Sequence, residues 1–319
     1  MQQENFTVVV PEQHAGKRLD QVLALLCPQH SRSRLQTWIR NGFVSVDGAS
    51  LKQKDTVHGG QSIKVRAQVE DRNEKWIKQE IPVNVIYEDE ALIVINKEPG
   101  IVVHPGAGNP DHTLVNALLF YCPELAQVPR AGIVQRLDKD TSGVMVVAKS
   151  LQAHTRLVRD LQDRRIAREY RALVHGQLIS GGTITAAIGR HPSLRTRMAV
   201  TDKGKTATTH YRIVRKYPAC TDIKLRLETG RTHQIRVHLA HLGHPIIGDP
   251  VYGGRKRFPK NVSETLRGKI AAFPRQALHA VRLELAHPLT EQRLELEAPL
   301  AADMEELLDV ISHATDERG

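Results

Sequence analysis

Residues 132–150 read GIVQRLDKDTSGVMVVAKS. Two apolar runs, GIVQRL and GVMVVAKS, flank the polar segment DKDTS, so the stretch is expected to form two strands around a charged loop. A plain turn needs only one or two polar residues. Here Arg136 to Gly143, RLDKDTSG, sets two carboxylates, Asp138 and Asp140, beside two cations, Arg136 and Lys139. A carboxylate serves as a covalent nucleophile only while ionised, and a neighbouring guanidinium favours that form. The same residues would also suit an Asx-capped surface loop.

Working outward, the surrounding text is strand-rich. VNVIYED, EALIVINKE and GIVVHPG precede the loop as short apolar or alternating runs, with TLVNALLFY as a helix between. Beyond it, LQAHTRLVRDLQDRR and THQIRVHLAHLG have helical patterns, whereas EYRALVHG, TTHYRIVRKY, TDIKLRLE, LHAVRLELAHP and RLELEAPL read as strands. DMEELLDVIS closes the chain as a helix. Strands at hairpin-like spacing with scattered helices predict one α+β domain over 82–313, built on a mixed, mainly antiparallel sheet.

A second, smaller module precedes it. After an expected extended arm at 1–11, Leu19, Val22, Leu23 and Leu26 recur at helical spacing, and a second helix runs through Leu35, Trp38 and Ile39, capped by Ser31 or Ser33. FVSVDG and SIKVRA follow as strands with tight turns. Residues 12–66 thus form a small α/β domain, and the polar stretch 67–81 is expected to be a linker in which Trp76 anchors to the following domain. The small module holds nine Lys or Arg against four Asp or Glu. Its Arg32, Arg34 and Arg40 lie close together on one helix, a surface suited to a phosphate backbone.

The whole chain is basic as well, with 45 Lys plus Arg against 35 Asp plus Glu in 319 residues. That balance favours a polyanionic partner. Three well-separated cysteines, Cys27, Cys122 and Cys220, give no disulfide framework and no CxxC metal pair, and fit a reducing cytosol. His233, His238, His241 and His244 cluster without an HExxH pattern or nearby Cys, so no metal site is expected. HPGAGNP contains GxG, but Asp111 stands where a GxGxxG pattern needs glycine. No run reaches the length of a membrane span and no signal peptide is read, so a cytoplasmic protein is expected.

Two further segments carry candidate chemistry. In AREYRALVHG, Tyr170 opens a strand, where a buried phenol can stack on a base and exchange a proton. In ETGRTHQIRVH, Arg231 lies at a strand-to-helix corner with Thr232 as the expected cap. RLDKDTSG, REYRALVHG and ETGRTHQIRVHLAHLGHPIIGDPVYG, in that order, resemble the RluA-type pseudouridine synthases. RLDQVL and SRSRLQTWIRNGFVSVDG resemble the S4 RNA-binding domain.

The resemblance implies Asp138 as catalytic aspartate, Tyr170 as active-site tyrosine and Arg231 as the arginine paired with the aspartate. It implies Arg136 as the side chain that fills the space of a flipped uridine, and His104, in the HPGAGNPDHT stretch, as an RNA contact. Gln135 replaces the His common before Arg-Leu-Asp, and Arg168 the Lys common two residues before the tyrosine. The implied reaction is a cofactor-free isomerisation of uridine by a monomer. Its implied partner is 23S rRNA in a precursor of the large ribosomal subunit, with the helix 69 loop as target. The alternative is a noncatalytic RNA-binding protein of ribosome assembly that works through the front module.

Overall fold

The computed structural model describes every residue except 1, 28–29, 31, 70–75, 107, 195, 255–257, 260–261 and 317–319. The chain divides into two units, Met1–Lys75 and Trp76–Gly319. The expected cap Ser31 and residues 70–75 of the expected linker lie outside the described residues.

In the first unit, β1 (Gln2–Val9), α1 (Leu19–Leu26), α2 (Arg32–Arg40), β2 (Val44–Val46) and β3 (Ser62–Val69) follow in order. The opening segment is a sheet strand rather than a free arm. It pairs antiparallel with β3 from Gln2↔Val69 to Val9↔Ser62, and the sheet order is β1-β3-β2. Alternation explains the capture, because Phe6 and Val8 pack on the core that Leu19, Val22, Leu23, Leu35 and Trp38 build from the two helices. At the start of α1, Asp20 is fully buried yet accepts hydrogen bonds from Arg18, Arg32 and Gln36. Burial alone would raise its pKa, but the Arg32 and Gln36 hydrogen bonds and the charge of Arg18 outweigh it and hold the carboxyl below its ordinary value.

The second unit begins with β4 (Val85–Glu88), β5 (Leu92–Lys97), α3 (Leu114–Tyr121), β6 (Ser142–Ala148) and α4 (Leu151–Gln162). It continues through β7 (Ala167–His175), β8 (Gly182–Thr185), β9 (Ile188–Arg190), β10 (Met198–Val200), β11 (Thr208–Lys216) and β12 (Cys220–Leu227). Then come α5 (Gln234–His241), α6 (Glu264–Ala272), β13 (Leu278–Ala286), β14 (Arg293–Glu297) and α7 (Ala302–Asp316). Nine strands form one sheet in the order β4-β5-β6-β13-β7-β12-β11-β8, with β14 on β13; β9 and β10 make a separate hairpin. Every pairing in the large sheet is antiparallel except β6 with β13. The mixed, mainly antiparallel α+β class is therefore the observed one. β5 and β6 are buried along their whole length, which is why their sequences read as continuous apolar runs. Trp76 packs on this core.

Two expected strands are absent. GIVQRL makes only an isolated bridge, Ile133↔Val147, because Arg130, Ala131 and Gly132 take left-handed backbone angles that turn the chain off the sheet. GIVVHPG likewise makes only isolated bridges, Val102↔Thr113 and Gly106↔Asn109. The three-residue β9 and β10 strands, β8 and α6 carry too little periodicity to have been read.

One register row positions the site. Leu225 of β12 faces Tyr170 of β7, Tyr170 faces Ala280 of β13, and Ala280 pairs with Gly143 of β6. The row sets Tyr170, the loop before β6 and the turn after β12 at one end of the sheet. It depends on a glycine: at Gly143 φ is 116°, and an added Cβ would lie 2.2 Å from the Ala280 carbonyl oxygen. Gly143→Ala is expected to cost about 3 kcal/mol of folding free energy, read as a lower urea midpoint. An unchanged midpoint would mean that β6 and β13 separate without loss.

Candidate active site

The loop from Arg136 to Thr141 is held from beneath by buried polar groups. Lys97, the last residue of β5, is 1% exposed, and its ammonium donates to the carbonyls of Glu98 (2.7 Å), Ile101 (2.9 Å) and Lys139 (2.9 Å). Burial pulls its pKa down to about 7, against the raising charge of Asp140. Arg275 donates to the Asp140 carbonyl (3.0 Å) while a bidentate pair fixes it to Asp303 of α7. Gln276 donates to the Thr141 hydroxyl at 3.0 Å. His279 lies with Nε2 near the Ala298 carbonyl and Nδ1 2.9 Å from the Ser142 hydroxyl. Burial brings its pKa down to about 4, so the ring is neutral and accepts from Ser142.

At the top of this loop Asp138 Oδ2 accepts from Arg236 Nη1 at 2.9 Å, and Asp138 stays 25% exposed. Arg236 is itself buried and forked onto Asp249, Nε to Oδ2 at 2.7 Å and Nη2 to Oδ1 at 2.9 Å. Burial opposes charge on Arg236, yet the hydrogen bonds and field of Asp249, with those of Asp138, push its pKa up. Asp249 is the mirror case. Burial would raise it, but Arg236 and the Tyr252 and Val251 amides hold it below the ordinary range.

Arg236, not Arg231, is therefore the partner of Asp138. The physical reason is where the helix starts. α5 begins at Gln234, which leaves Arg231 exposed in the preceding turn, where its Nε donates to the Thr206 carbonyl at 3.2 Å. Arg236 is the third helical residue, within a stretch of α5 that is buried from Gln234 to Leu239. The N-cap is His233 rather than Thr232, with left-handed φ 55° and no side-chain cap bond. The Gln234 side chain instead takes the Arg231 amide and the Thr229 hydroxyl.

Asp138, Tyr170, Arg136, His104 and Arg231 all line one cavity of about 760 Å³. Tyr170 is 7% exposed; burial pushes its phenol pKa up, against Arg168 and with Asp138. His104 rests near the Trp76 ring, with centroids 6.2 Å apart. Burial, then Arg130 and Arg136, push its pKa down to about 4, so it offers the cavity a neutral ring rather than a cation. Arg168 also lines the cavity, and its Nε is buried without a partner among the described residues. Arg32, Arg34 and Arg40 belong to the small unit. There Arg32 is tethered to Asp20 at 2.9 Å yet half exposed, at 52%, and Arg40 donates to Thr37.

Lys97, Asp249 and Arg275 were not singled out from the sequence, and His233 entered only as one of the clustered histidines. Lys97 ends an apolar run, where one lysine signals nothing. Asp249 sits in GDPVYG, and only the fold brings it back onto α5. Of the clustered histidines, His238 contacts Thr209 and the Ala186 carbonyl, while His244 contacts the His175 carbonyl.

Comparison with known proteins is consistent across the chain. Residues 91–241 match the RNA pseudouridylate synthase family and residues 17–63 match the S4 domain. The chain is 54% identical to ribosomal large subunit pseudouridine synthase D of Pseudomonas aeruginosa over 302 residues, covering 95% of this chain and 94% of that protein. It is 52% identical to the protein of the same description in Escherichia coli K12 over 311 residues, covering 97% and 95%. The solved structure of human RNA pseudouridylate synthase domain containing 4 superposes with a TM-score of 0.57 at 25% identity, over 72% of this chain and 93% of that one.

Two substitutions distinguish the arginines. Arg236→Lys keeps the charge but loses the fork, and a drop in turnover of about 10²-fold is expected. Arg231→Ala is expected to raise KM with kcat within a few-fold. The reverse pattern in steady-state kinetics would return the pairing role to Arg231. Lys97→Met removes the ammonium from the carbonyls of Glu98, Ile101 and Lys139, of which the last keeps the Gly100 amide, and is expected to cost about 3 kcal/mol, measured by urea unfolding; full stability would mean that water replaces the ammonium.

Proposed function

Because the chain belongs to the RNA pseudouridylate synthase family, as a member with an S4 domain in front, we propose that it converts uridine to pseudouridine in large-subunit ribosomal RNA, using Asp138. The observation that carries this reading is the convergence of Asp138, Arg236 and Tyr170 on one cavity that is open to a nucleotide. The names of its relatives point to the large ribosomal subunit. Within it, the family resemblance favours the helix 69 loop of 23S rRNA on a subunit precursor, met by a cytoplasmic monomer.

In this reading the reaction breaks the N1–C1′ bond, turns the uracil and joins C5 to C1′. The C5 proton is lost and N1 gains one, so the change is a redox-neutral isomerisation. A base stacked in a helix exposes none of these atoms, so the uridine must leave the stack. Arg136, on the same loop as Asp138, fills the space it vacates. Asp138 acts at the ribose or the base while Arg236 fixes its orientation through one oxygen. Tyr170 packs on the extruded nucleoside and serves proton transfer at the sugar. Arg168 and Arg231 meet phosphates at the rim. His104, being neutral, contributes a ring face or a hydrogen bond. Arg18 and Arg32, splayed by Asp20, and Arg34 and Arg40 hold RNA on the small unit.

Asp138→Asn on rRNA labelled with tritium at uridine C5 tests the assignment. Tritium release is expected to fall by about 10⁴-fold or more, with RNA affinity within a few-fold of wild type. Release at the wild-type rate would remove Asp138 from the reaction. For the small unit, neutralising Arg32 and Arg34 together is expected to flatten the log–log dependence of RNA affinity on salt by about one unit per lost phosphate contact. An unchanged slope in filter binding would place these arginines away from RNA.

A further inference from the structure

His233 has three features that the proposed reaction does not explain. It takes a left-handed backbone conformation at the mouth of α5, with φ 55° and ψ 23°. Its Nδ1 lies 2.8 Å from the Tyr252 hydroxyl. Its Nε2 lies 3.9 Å from Asp138 Oδ1, the oxygen that Arg236 leaves open. A β-carbon residue seldom accepts such backbone angles unless its surroundings hold it there.

The hydrogen-bond directions can be traced from one end. The backbone N–H of Met198, in β10, donates to the Tyr252 hydroxyl oxygen at 2.9 Å. The phenol carries one proton, and of its two described partners only His233 Nδ1 can accept it, so the phenol donates there. A neutral imidazole that accepts at Nδ1 carries its hydrogen on Nε2. The opposite tautomer would aim a lone pair at the carboxylate, so the electrostatics select the same form. Arg236 Cζ lies 5.1 Å from the centre of the Tyr252 ring, which fixes the phenol between hairpin and site.

We propose that His233 is a positioning residue for Asp138: held by Tyr252 as its Nε2–H tautomer, it presents an N–H to the free carboxylate oxygen and couples the β9–β10 hairpin to the reacting group. The coupling rests on the assignment of Asp138 above. At 3.9 Å the N–H is poised rather than bonded, and closes directly or through one water when RNA enters. Order in the hairpin at Met198 then fixes the phenol, the phenol fixes the imidazole, and the imidazole fixes which oxygen of Asp138 faces the reacting nucleoside.

The charges around the ring agree with a neutral imidazole. Burial lowers its pKa, Asp138 raises it, Arg236 from its own helix lowers it, Asp249 raises it, and Arg136 lowers it; the net shift is downward. Removing the phenol proton frees Nδ1 to bind a proton from solvent. The imidazolium would then pair with Asp138 and withdraw it from the reacting nucleoside. The sign follows: without Tyr252, activity is lost on the acid side at a higher pH than in wild type.

The test uses the full chain in two measurements. Nitrogen-15 histidine NMR, with His233 identified by the missing signals in His233→Gln, should report the Nε2–H tautomer at pH 7 in wild type. An Nδ1–H or doubly protonated ring would overturn the proposal without touching the assignment of Asp138. In tritium-release assays, Tyr252→Phe should move the acid limb of kcat upward by about one pH unit while KM stays within about two-fold. His233→Ala should lower kcat about 10-fold at unchanged KM, and His233→Gln, which restores an N–H, should recover most of it. Matching acid limbs in wild type and Tyr252→Phe, or equal kcat in the Ala and Gln variants, would overturn the coupling. Asp138→Asn, inactive in the same assay, keeps that failure separate from failure of the underlying reading.

Discussion

A single guanidinium, that of Arg236, joins three parts of the chain that the sequence keeps far apart. It grips Asp249 with two nitrogens and Asp138 with the third, from inside a helix with almost no solvent contact. Buried ion pairs are poor investments in stability, because desolvating the charges consumes most of what their attraction returns. Their value here lies in geometry. The planar fork on Asp249 leaves Nη1 one direction in which to point, and Asp138 lies along it. A lysine in the same place would supply charge without direction.

The sheet delivers the other half of the constraint. Loop residues are mobile unless something over-determines them, and the segment before β6 is over-determined from below. Its carbonyls at 139 and 140 end on Lys97 and Arg275, and its side chains at 141 and 142 end on Gln276 and His279. Arg275 in turn leans on Asp303, so the terminal helix α7 takes part in holding the loop although none of its residues lines the cavity. The polar floor replaces what apolar packing cannot provide beneath backbone that forms no ladder, namely partners for carbonyl groups cut off from water. Lys97 reaches the loop from β5, and Arg275, Gln276 and His279 reach it from the segment that runs into β13, so a shift of either element breaks one or more of these bonds.

Much of this was legible in the sequence, for identifiable reasons. Long apolar or alternating runs such as LIVINK and SGVMVVA became buried strands because period and hydrophobicity act locally. Asp138 and Tyr170 were picked out through the resemblance of RLDKDTSG and REYRALVHG to known motifs; the residues alone left Asp138 and Asp140 on an equal footing. Partnerships were less legible. Arg231 and Arg236 lie five residues apart in one motif, and only the helix start at Gln234 decides which faces inward. The strand expected at GIVQRL failed on backbone angles: Arg130 and Ala131 hold positive φ, which no composition rule anticipates for those residue types. Lys97 could not be read at all, because its partners are backbone carbonyls, and backbone carries no letter.

A related contrast separates the two units. On the small unit, Asp20 is buried and spends its lone pairs on Arg18, Arg32 and Gln36, while the two guanidinium groups remain about half exposed. In the cavity the order is inverted. The arginine is buried, and the carboxylate keeps an oxygen toward the open space. A carboxylate that orients exposed arginines makes a surface for phosphates, whose charge is delocalised and whose position along a backbone repeats. An arginine that orients an accessible carboxylate makes a point at which one atom of one nucleotide is addressed. One chain therefore uses the same ion pair in both senses, with the buried member choosing the direction of the exposed one; in the proposed function, which member is buried decides between holding RNA and acting on it.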